Sequence, residues 1–363
     1  MKRIAIICVI LCTPLLINAQ VQIPTLDDLD HEIAMSSQYD KQYEDVIRSV
    51  KKQLHAAKTL EARCELSDKL FNLYTSYSVD SAIVYAMEKQ KIAKAMGNQS
   101  KVNDAKLNLA YLLIRGGELK EASDIINSIP RSEINQDLSF YYFSTRKTLY
   151  RTLADAALIP SQRKMYKQME KLCNDSVVDN NQSPDIWSRA EQLVNRQQYE
   201  QAKKILLDAY HHLKPGDRQT AFVSISLADI YGREKNVEAQ KQYLIAAAIS
   251  DIRNSVKEYL ALQQLAMILF EEGDTKRAYA YMDHAMNDAV FCNARQRTIA
   301  MADVWPAIEK SHERETKSRT LKLTAALVLI SLMSVFLLVM IIYTRRRVVE
   351  LRAIRARLSN TNE

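Results

Sequence analysis

Hydrophobic positions recur along most of this chain at the three-to-four-residue spacing of amphipathic helices, and short polar turns separate the periodic stretches. The clearest unit covers residues 260–286 and reads LALQQLAMILFEEGDTKRAYAYMDHAM. A first stretch, with Leu265 on its apolar side, is followed by a turn at Gly273 and by a second stretch containing Ala278. The pattern predicts two antiparallel helices that cross at a small residue.

Similar helix pairs recur through the chain, most clearly in residues 107–129 and 187–210. The small residue of the second helix falls at four positions: Ala82, Ala122, Ala202 and Ala278. Their spacings of 40, 80 and 76 residues predict further units near residues 162 and 240, where Gln240 replaces the alanine. The repetition predicts about six helical hairpins whose apolar faces are buried only when neighbours stack. A non-repetitive all-α domain is the alternative.

The pattern also predicts elements outside the hairpins. Two helices, roughly residues 26–36 and 43–57, precede the first pair, and the polar stretch NDSVVDNNQSP at 174–184 predicts a break in the array. A charged sequence with helical periodicity follows residue 293. We interpret it as a capping helix that runs into a stalk over residues 301–322.

One stretch differs from all others. Residues 323–343 read LTAALVLISLMSVFLLVMIIY, without a charge, proline or glycine. At about 1.5 Å per helical residue the run reaches roughly 31 Å, which matches the hydrocarbon core of a bilayer. Lys322 precedes it and Arg345, Arg346 and Arg347 follow it, so charges orient a single transmembrane helix. A buried core helix is the alternative, but core helices are seldom apolar on every face.

The two ends of the chain predict its topology. Residues 1–19 have a basic start, an apolar centre and a small residue at the end, as in a signal peptide cleaved before Gln20. The tail, residues 344–363, carries six arginines against Glu350 and Glu363, a net charge of +4. Basic tails stay in the cytoplasm. We therefore expect a single-pass protein of the bacterial inner membrane, with residues 20–322 in the periplasm and the C-terminus in the cytoplasm.

Composition agrees with a helical chain. Among 363 residues there are only 6 Gly and 7 Pro. The net charge of +7 comes partly from the tail, so it does not indicate a surface that binds nucleic acid. Outside residues 1–19 there are three cysteines, an odd number, and we expect each to be a small apolar core residue: Cys64, Cys173 and Cys292.

Residues for catalysis are not grouped anywhere in the sequence. There is no glycine-rich phosphate loop, and the adjacent His211 and His212 diverge by about 100° on a helix, so they cannot share a metal. His284 beside Asp283 and Asp288 indicates a solvated helix face rather than a site. We expect no enzyme activity, no metal and no cofactor.

The helix pairs resemble the tetratricopeptide repeat (TPR). The expected fold is all-α, a TPR-like superhelical array over residues 20–300 followed by one transmembrane helix. The resemblance implies that the first helix of each pair lines a concave face that binds a protein or peptide. It projects these residues onto that face, where packing between hairpins is the alternative role for each: Tyr111, Ile114, Arg115, Lys147, Arg151, Trp187, Glu191, Asn195, Asp229, Arg233 and Phe270.

The tail has two possible structures. Val348, Leu351, Ile354 and Leu358 follow one another at helical spacing and resemble the start of a coiled coil. An amphipathic basic helix lying on anionic lipid is the alternative.

The whole arrangement resembles a bacterial family of membrane-anchored TPR regulators, most closely over residues 263–300. In that family a coil leads to a cytoplasmic output domain, usually a helix-turn-helix that binds DNA. This sequence stops at residue 363, where that domain should begin, so DNA binding is not carried over and we expect no nucleic-acid partner for this chain itself. We therefore expect a sensor or adaptor in transcriptional regulation that binds a periplasmic partner. Because one helix can relay a signal only through a change of pose or oligomer, we also expect self-association through stalk, membrane helix or coil. A purely structural envelope scaffold and a truncated regulator are the alternatives.

Overall fold

A computed structural model describes residues 24–179, 186–214 and 216–359, and within these ranges the chain is helical and contains no strand. The predicted signal peptide lies outside the described residues. The helices are α1 (Leu26–Ala56), α2 (Leu60–Tyr74), α3 (Val79–Ala95), α4 (Gln99–Gly116), α5 (Leu119–Asn127), α6 (Gln136–Ala156), α7 (Pro160–Asp179), α8 (Ile186–Asn195), α9 (Tyr199–His212), α10 (Arg218–Arg233), α11 (Val237–Arg253), α12 (Ala261–Glu272), α13 (Thr275–Cys292), α14 (Arg295–Ala302) and α15 (Trp305–Ser359).

Six hairpins form the array, as the periodicity predicted: α2–α3, α4–α5, α6–α7, α8–α9, α10–α11 and α12–α13. The four alanines that define the repeat lie in the second helices of their hairpins, and each is 0% exposed. Where Gln240 replaces the alanine, Gly232 lies opposite on α10, and a Cβ built there would be 2.7 Å from Gln240 Nε2. The small residue of that crossing has moved to the partner helix.

Two helix boundaries differ from the sequence prediction. α1 is one helix of 31 residues, not two, because the stretch between the predicted pair contains no glycine or proline. α7 continues to Asp179, so the predicted break at 174 begins later. The predicted stalk, membrane span and coil form one helix of 55 residues, α15.

The two ends of the array contact each other. α1 packs on α11, α14 packs on α4, and α1 is joined to α13 by Arg277, which pairs with Asp27 and Asp30. One hydrophobic core contains Leu70 of the first hairpin together with Leu262 of the last. The array is therefore closed rather than an open solenoid.

The connection between α11 and α12 makes several of the contacts that close the array. The backbone N–H of Lys257 donates to the Ser76 carbonyl at 2.7 Å, and the Lys257 ammonium contacts Asp40 of α1 at 2.7 Å and Asp288 of α13 at 3.0 Å. Next to it, Glu258 pairs with Arg115 at the end of α4. Residues 254–260, the closing loop, thus join three helices, α1, α4 and α13, and the turn between α2 and α3.

α15 begins on the array and then leaves it. Ile308 is fully buried, and Tyr279 of α13 stacks on Trp305 and His312 with ring centroids 5.3 and 4.2 Å away. From residue 313 to 355 every side chain is exposed. Among the described residues, one helix is long and apolar enough to cross a membrane, Trp305–Arg355.

The three cysteines outside the first 19 residues are free thiols in the core. Burial raises the pKa of Cys292 to about 12, which keeps it protonated and unreactive at neutral pH. They pack as the sequence predicted.

Candidate functional site

A cavity of about 480 Å³ lies between α6, α7, α8, α9, α10 and the start of α12, and we call it the Trp187 groove. Apolar side chains form its floor, among them Leu206, Ile230 and Leu260. Its volume lies within the range of about 300–1,000 Å³ that is usual for ligand sites. The sequence forms it here because the third, fourth and fifth hairpins meet the sixth.

Two aromatic rings define one side of the groove. The Trp187 ring meets the Phe222 ring edge to face, with centroids 5.5 Å apart and an interplanar angle of 64°. Phe222 is 48% exposed although it is a large apolar residue on a structured helix. An exposed aromatic ring held by a second ring is a common anchor for a binding partner.

A partly buried ionic cluster forms the wall on α6, α7 and α8. Glu191 accepts from Lys147 at 2.7 Å and also pairs with Arg151, which binds Glu170 at 2.6 Å. Burial alone would raise the pKa of Glu191, but the charges of Lys147 and Arg151 outweigh it and hold the pKa below its ordinary value. The wall stays ionised at neutral pH, with both cations already paired.

The opposite rim is polar and exposed. Arg233 Nε donates to Asp229 Oδ2 at 2.9 Å one helical turn away on α10, and this hydrogen bond raises the pKa of Arg233. Asn195 of α8 and Gln264 of α12 also line the groove and carry amide groups. These groups can donate to and accept from a peptide backbone.

The structure brings together six of the residues projected onto the concave face. These residues line the Trp187 groove: Arg151, Trp187, Glu191, Asn195, Asp229 and Arg233. Lys147 lies directly behind them, in contact with Glu191. That they bind a partner remains a prediction.

The other projected residues have a different environment. Arg115 is enclosed by the closure of the array: it pairs with Glu258, donates to the Thr75 carbonyl at 2.5 Å, and lies over the Tyr111 ring at 5.5 Å. Although burial opposes its charge, Glu258 raises the pKa of Arg115. Ile114 is 1% exposed and Phe270 packs against the main core. The expectation that Arg115 and Ile114 lie on an open face is therefore corrected.

Sequence reasoning missed several residues of the groove, notably Glu170, Phe222 and Gln264. Glu170 lies in the hairpin without repeat-defining residues, so no motif placed it. Phe222 could have been found: it precedes Asp229 by seven residues, two helical turns, and therefore shares its face of α10. Gln264 faces the groove only because the sixth hairpin approaches it.

The predicted membrane-orienting residues all lie on exposed parts of α15: Lys322, Arg345, Arg346 and Arg347. The 22 residues between Lys322 and Arg345 include the most apolar part of the helix, with a mean hydropathy of 3.0 and nothing packed against it in the described structure. Length and composition agree with a span, and orientation stays a prediction.

Comparison with protein families identifies the array. A family model described as the SusR N-terminal TPR domain matches residues 33–303, from within α1 to the end of α14. The chain belongs to this family. A search of curated proteins finds no match. Membership of the SusR N-terminal TPR family agrees with a TPR-type bacterial regulator-like protein, and TPR domains are typically non-catalytic scaffolds for protein interactions. The match ends just before α15.

Proposed function

We propose that this protein is a membrane-anchored sensor or adaptor that binds a peptide or protein segment in the Trp187 groove and relays that event along α15. The proposed organisation is a signal peptide at 1–19, the array at 20–300, a stalk at 301–322, a span at 323–343 and a basic cytoplasmic coil at 344–363. The array would lie in the periplasm of a bacterium, with a regulatory output in transcription.

The chemistry of the groove favours a peptide. The apolar floor and the Phe222 edge suit one or two hydrophobic side chains, and the amides of Asn195 and Gln264 suit the polar backbone between them. The cations of the wall are neutralised by Glu170 and Glu191, which disfavours a purely anionic ligand. A segment with apolar anchors and an uncharged backbone matches both surfaces.

One observation carries the proposed relay. α12 of the last hairpin contributes Gln264 to the groove, next to Leu260 of the closing loop, while the second helix of that hairpin, α13, holds the first turns of α15. A ligand that contacts α12 therefore contacts the same hairpin from which the long helix departs. A shift of that hairpin would reach α15 without an intervening flexible joint.

Site-specific photo-crosslinking tests the binding site. A photoreactive phenylalanine analogue at Asn195 should form an adduct with a discrete partner in intact cells, and the same analogue at the exposed Glu121 of α5 serves as the control. Phe222→Ala, on a half-exposed ring, should remove the adduct while the protein stays folded. Equal adducts from both positions, or an adduct that survives Phe222→Ala, would argue against the groove.

A structural scaffold is the second candidate, and the closure of the array by buried ion pairs favours it because it makes a rigid body. A relay requires the particular sequence of the membrane span, whereas a scaffold requires only that the span anchors the protein. Replacing residues 323–343 by an unrelated apolar helix should abolish a relay but leave a scaffold working. Protease added to spheroplasts should digest the array and spare the tail in either case. The reverse pattern would contradict the proposed topology.

A further inference from the structure

α15 does not end or bend where the apolar run meets the arginines. It continues as one helix to Ser359, and residues 307–359 contain no proline or glycine that could kink it. Beyond the arginines its apolar side chains stay uncovered: Val348, Leu351 and Ile354 are 46%, 57% and 54% exposed. A stripe of this kind in water needs a surface to cover it.

Lipid cannot supply that surface if α15 spans the membrane as proposed. At about 1.5 Å per residue, Leu351 and Ile354 lie roughly 12 and 17 Å beyond Tyr343 along a straight helix. The headgroup zone adds only about 5–8 Å on each side of the hydrocarbon core. Both side chains therefore project past the headgroups into water, and the continuous helix holds them away from the membrane plane.

The same stripe continues back through the proposed span. Stepping from Ile354 by alternating intervals of three and four residues gives Leu351, Arg347, Thr344 and, further on, Leu337. This is the seven-residue repeat of a coiled coil, interrupted at two of these positions by the polar side chains of Thr344 and Arg347. A second copy of this chain has the same stripe at the same depth and the same orientation, so the two stripes can meet in parallel.

Charge selects between two possible registers of that pairing. With Leu351 and Ile354 at the core positions, Glu350 of one helix faces Arg355 of the other, the interhelical contact typical of parallel coiled coils. With Val348 and Leu351 at the core instead, Arg347 would face Arg352. Within one chain Glu350 pairs with Arg347 at 3.9 Å with both side chains exposed, which is a weak contact.

We propose that residues 344–359 pair in parallel with a second copy of this chain, with Leu351 and Ile354 in the seam and Glu350 facing Arg355 of the other copy. The proposal rests on α15 as the membrane span, and it replaces the lipid-bound alternative for the tail. Arg347 in the seam keeps the pairing weak, so a shift of the array can make or break it.

Cysteine cross-linking in native membranes tests the seam. Ile354→Cys should form a disulfide-linked dimer on mild oxidation, whereas Ala353→Cys, on the outer face one residue away, should not. Val348→Cys should cross-link less than Ile354→Cys, because it lies at the core only in the disfavoured register. Equal cross-linking of 353 and 354, or none at 354, would overturn the proposal, and a dominant Val348→Cys dimer would overturn its register.

A charge swap tests the Glu350–Arg355 contact. Glu350→Arg should reduce the Ile354→Cys dimer at least five-fold, and adding Arg355→Glu should restore it. Adding Arg352→Glu to Glu350→Arg makes the same change of charge outside the contact and should not restore the dimer. If both second substitutions restored it equally, the effect would depend on net charge alone, and the proposed contact would be overturned. If photo-crosslinking at Asn195 fails while these results hold, only the proposed ligand site is lost.

Discussion

At the residue scale, two adjacent glycines at the end of α4 have opposite conformational demands. Gly116 lies in the helix with open space at its Cβ position, whereas Gly117 caps the helix at φ +84° and a Cβ there would be 3.0 Å from Gln296. Gly116→Ala should stabilise the protein by about 0.5–1 kcal/mol because alanine favours helix. Gly117→Ala should destabilise it by about 1–2 kcal/mol because it forces a side chain into the left-handed region.

The two variants form a matched pair, since each adds one methyl group at neighbouring positions. Urea denaturation of the full chain in detergent micelles should move the midpoint in opposite directions. A loss of stability from Gly116→Ala, or no loss from Gly117→Ala, would contradict the assigned helix end.

Individual site residues were predictable only where local spacing determines their face. The spacing of Asp229 and Arg233 identifies one side of α10, and the structure places both in the groove. Arg115 has the same kind of spacing with Tyr111, yet its partner Glu258 is 143 residues away and removes it from an open surface. Periodicity along one helix contains no information about such a distant charge.

At the scale of elements, α1 shows how tertiary contacts decide a helix boundary. Its middle reads SQYDKQ, and this polar sequence predicted a connection between two helices. The structure gives these residues partners: Tyr39 donates to Glu32 at 2.7 Å, and Asp40 binds Lys257. A polar stretch without glycine or proline stays helical when its side chains are satisfied.

Lys257 should hold α1 in place. Its side chain is 4% exposed and lies between Asp40 and Asp288, with His284 of α13 3.5 Å from Asp288. Lys257→Met leaves two carboxylates facing each other without their cation, so it should destabilise the protein by about 3–5 kcal/mol. Hydrogen exchange of α1 amides should accelerate far more than that of α9 amides.

Lys241→Met is the control for that measurement. Lys241 also contacts two carboxylates, Glu238 and Glu272, but these are 78% and 38% exposed and remain solvated without it. Exchange in α1 should then change little. Equal acceleration in both variants would mean that α1 does not depend on the closing loop.

At the scale of the whole molecule, the repeats were predictable and their closure was not. Four alanines at regular intervals identified the hairpins, because the helix crossing demands a small residue in each. The contact between the first and last hairpins depends on how much each hairpin rotates relative to the previous one, and residues such as Ser76 and Lys257 show no pattern that reveals it. Sequence therefore predicted a solenoid, and the structure shows a closed one.

Closure predicts how the molecule unfolds. In an open solenoid each repeat contacts only its neighbours and the array can unfold in parts. Here the chain has two tryptophans in different regions: Trp187 in the groove and Trp305 at the start of α15. Single-tryptophan variants, Trp187→Phe and Trp305→Phe, should therefore show coincident urea midpoints by fluorescence, because α1, α4 and the closing loop join both regions.

Removing the contact that closes the array should separate the two transitions. Arg115→Met leaves Glu258 buried without its partner, which should lower the free energy of unfolding at the closing loop by about 3 kcal/mol. Since this free energy falls by roughly 3 kcal/mol per molar urea, the urea midpoint reported by Trp305 should fall by about 1 M relative to that reported by Trp187. Lys120→Met, which removes a pair whose side chains are 78% and 62% exposed, should leave the midpoints together. Two separate transitions in the unsubstituted array, or coincident ones in Arg115→Met, would mean that the contacts between the first and last hairpins do not couple their stability.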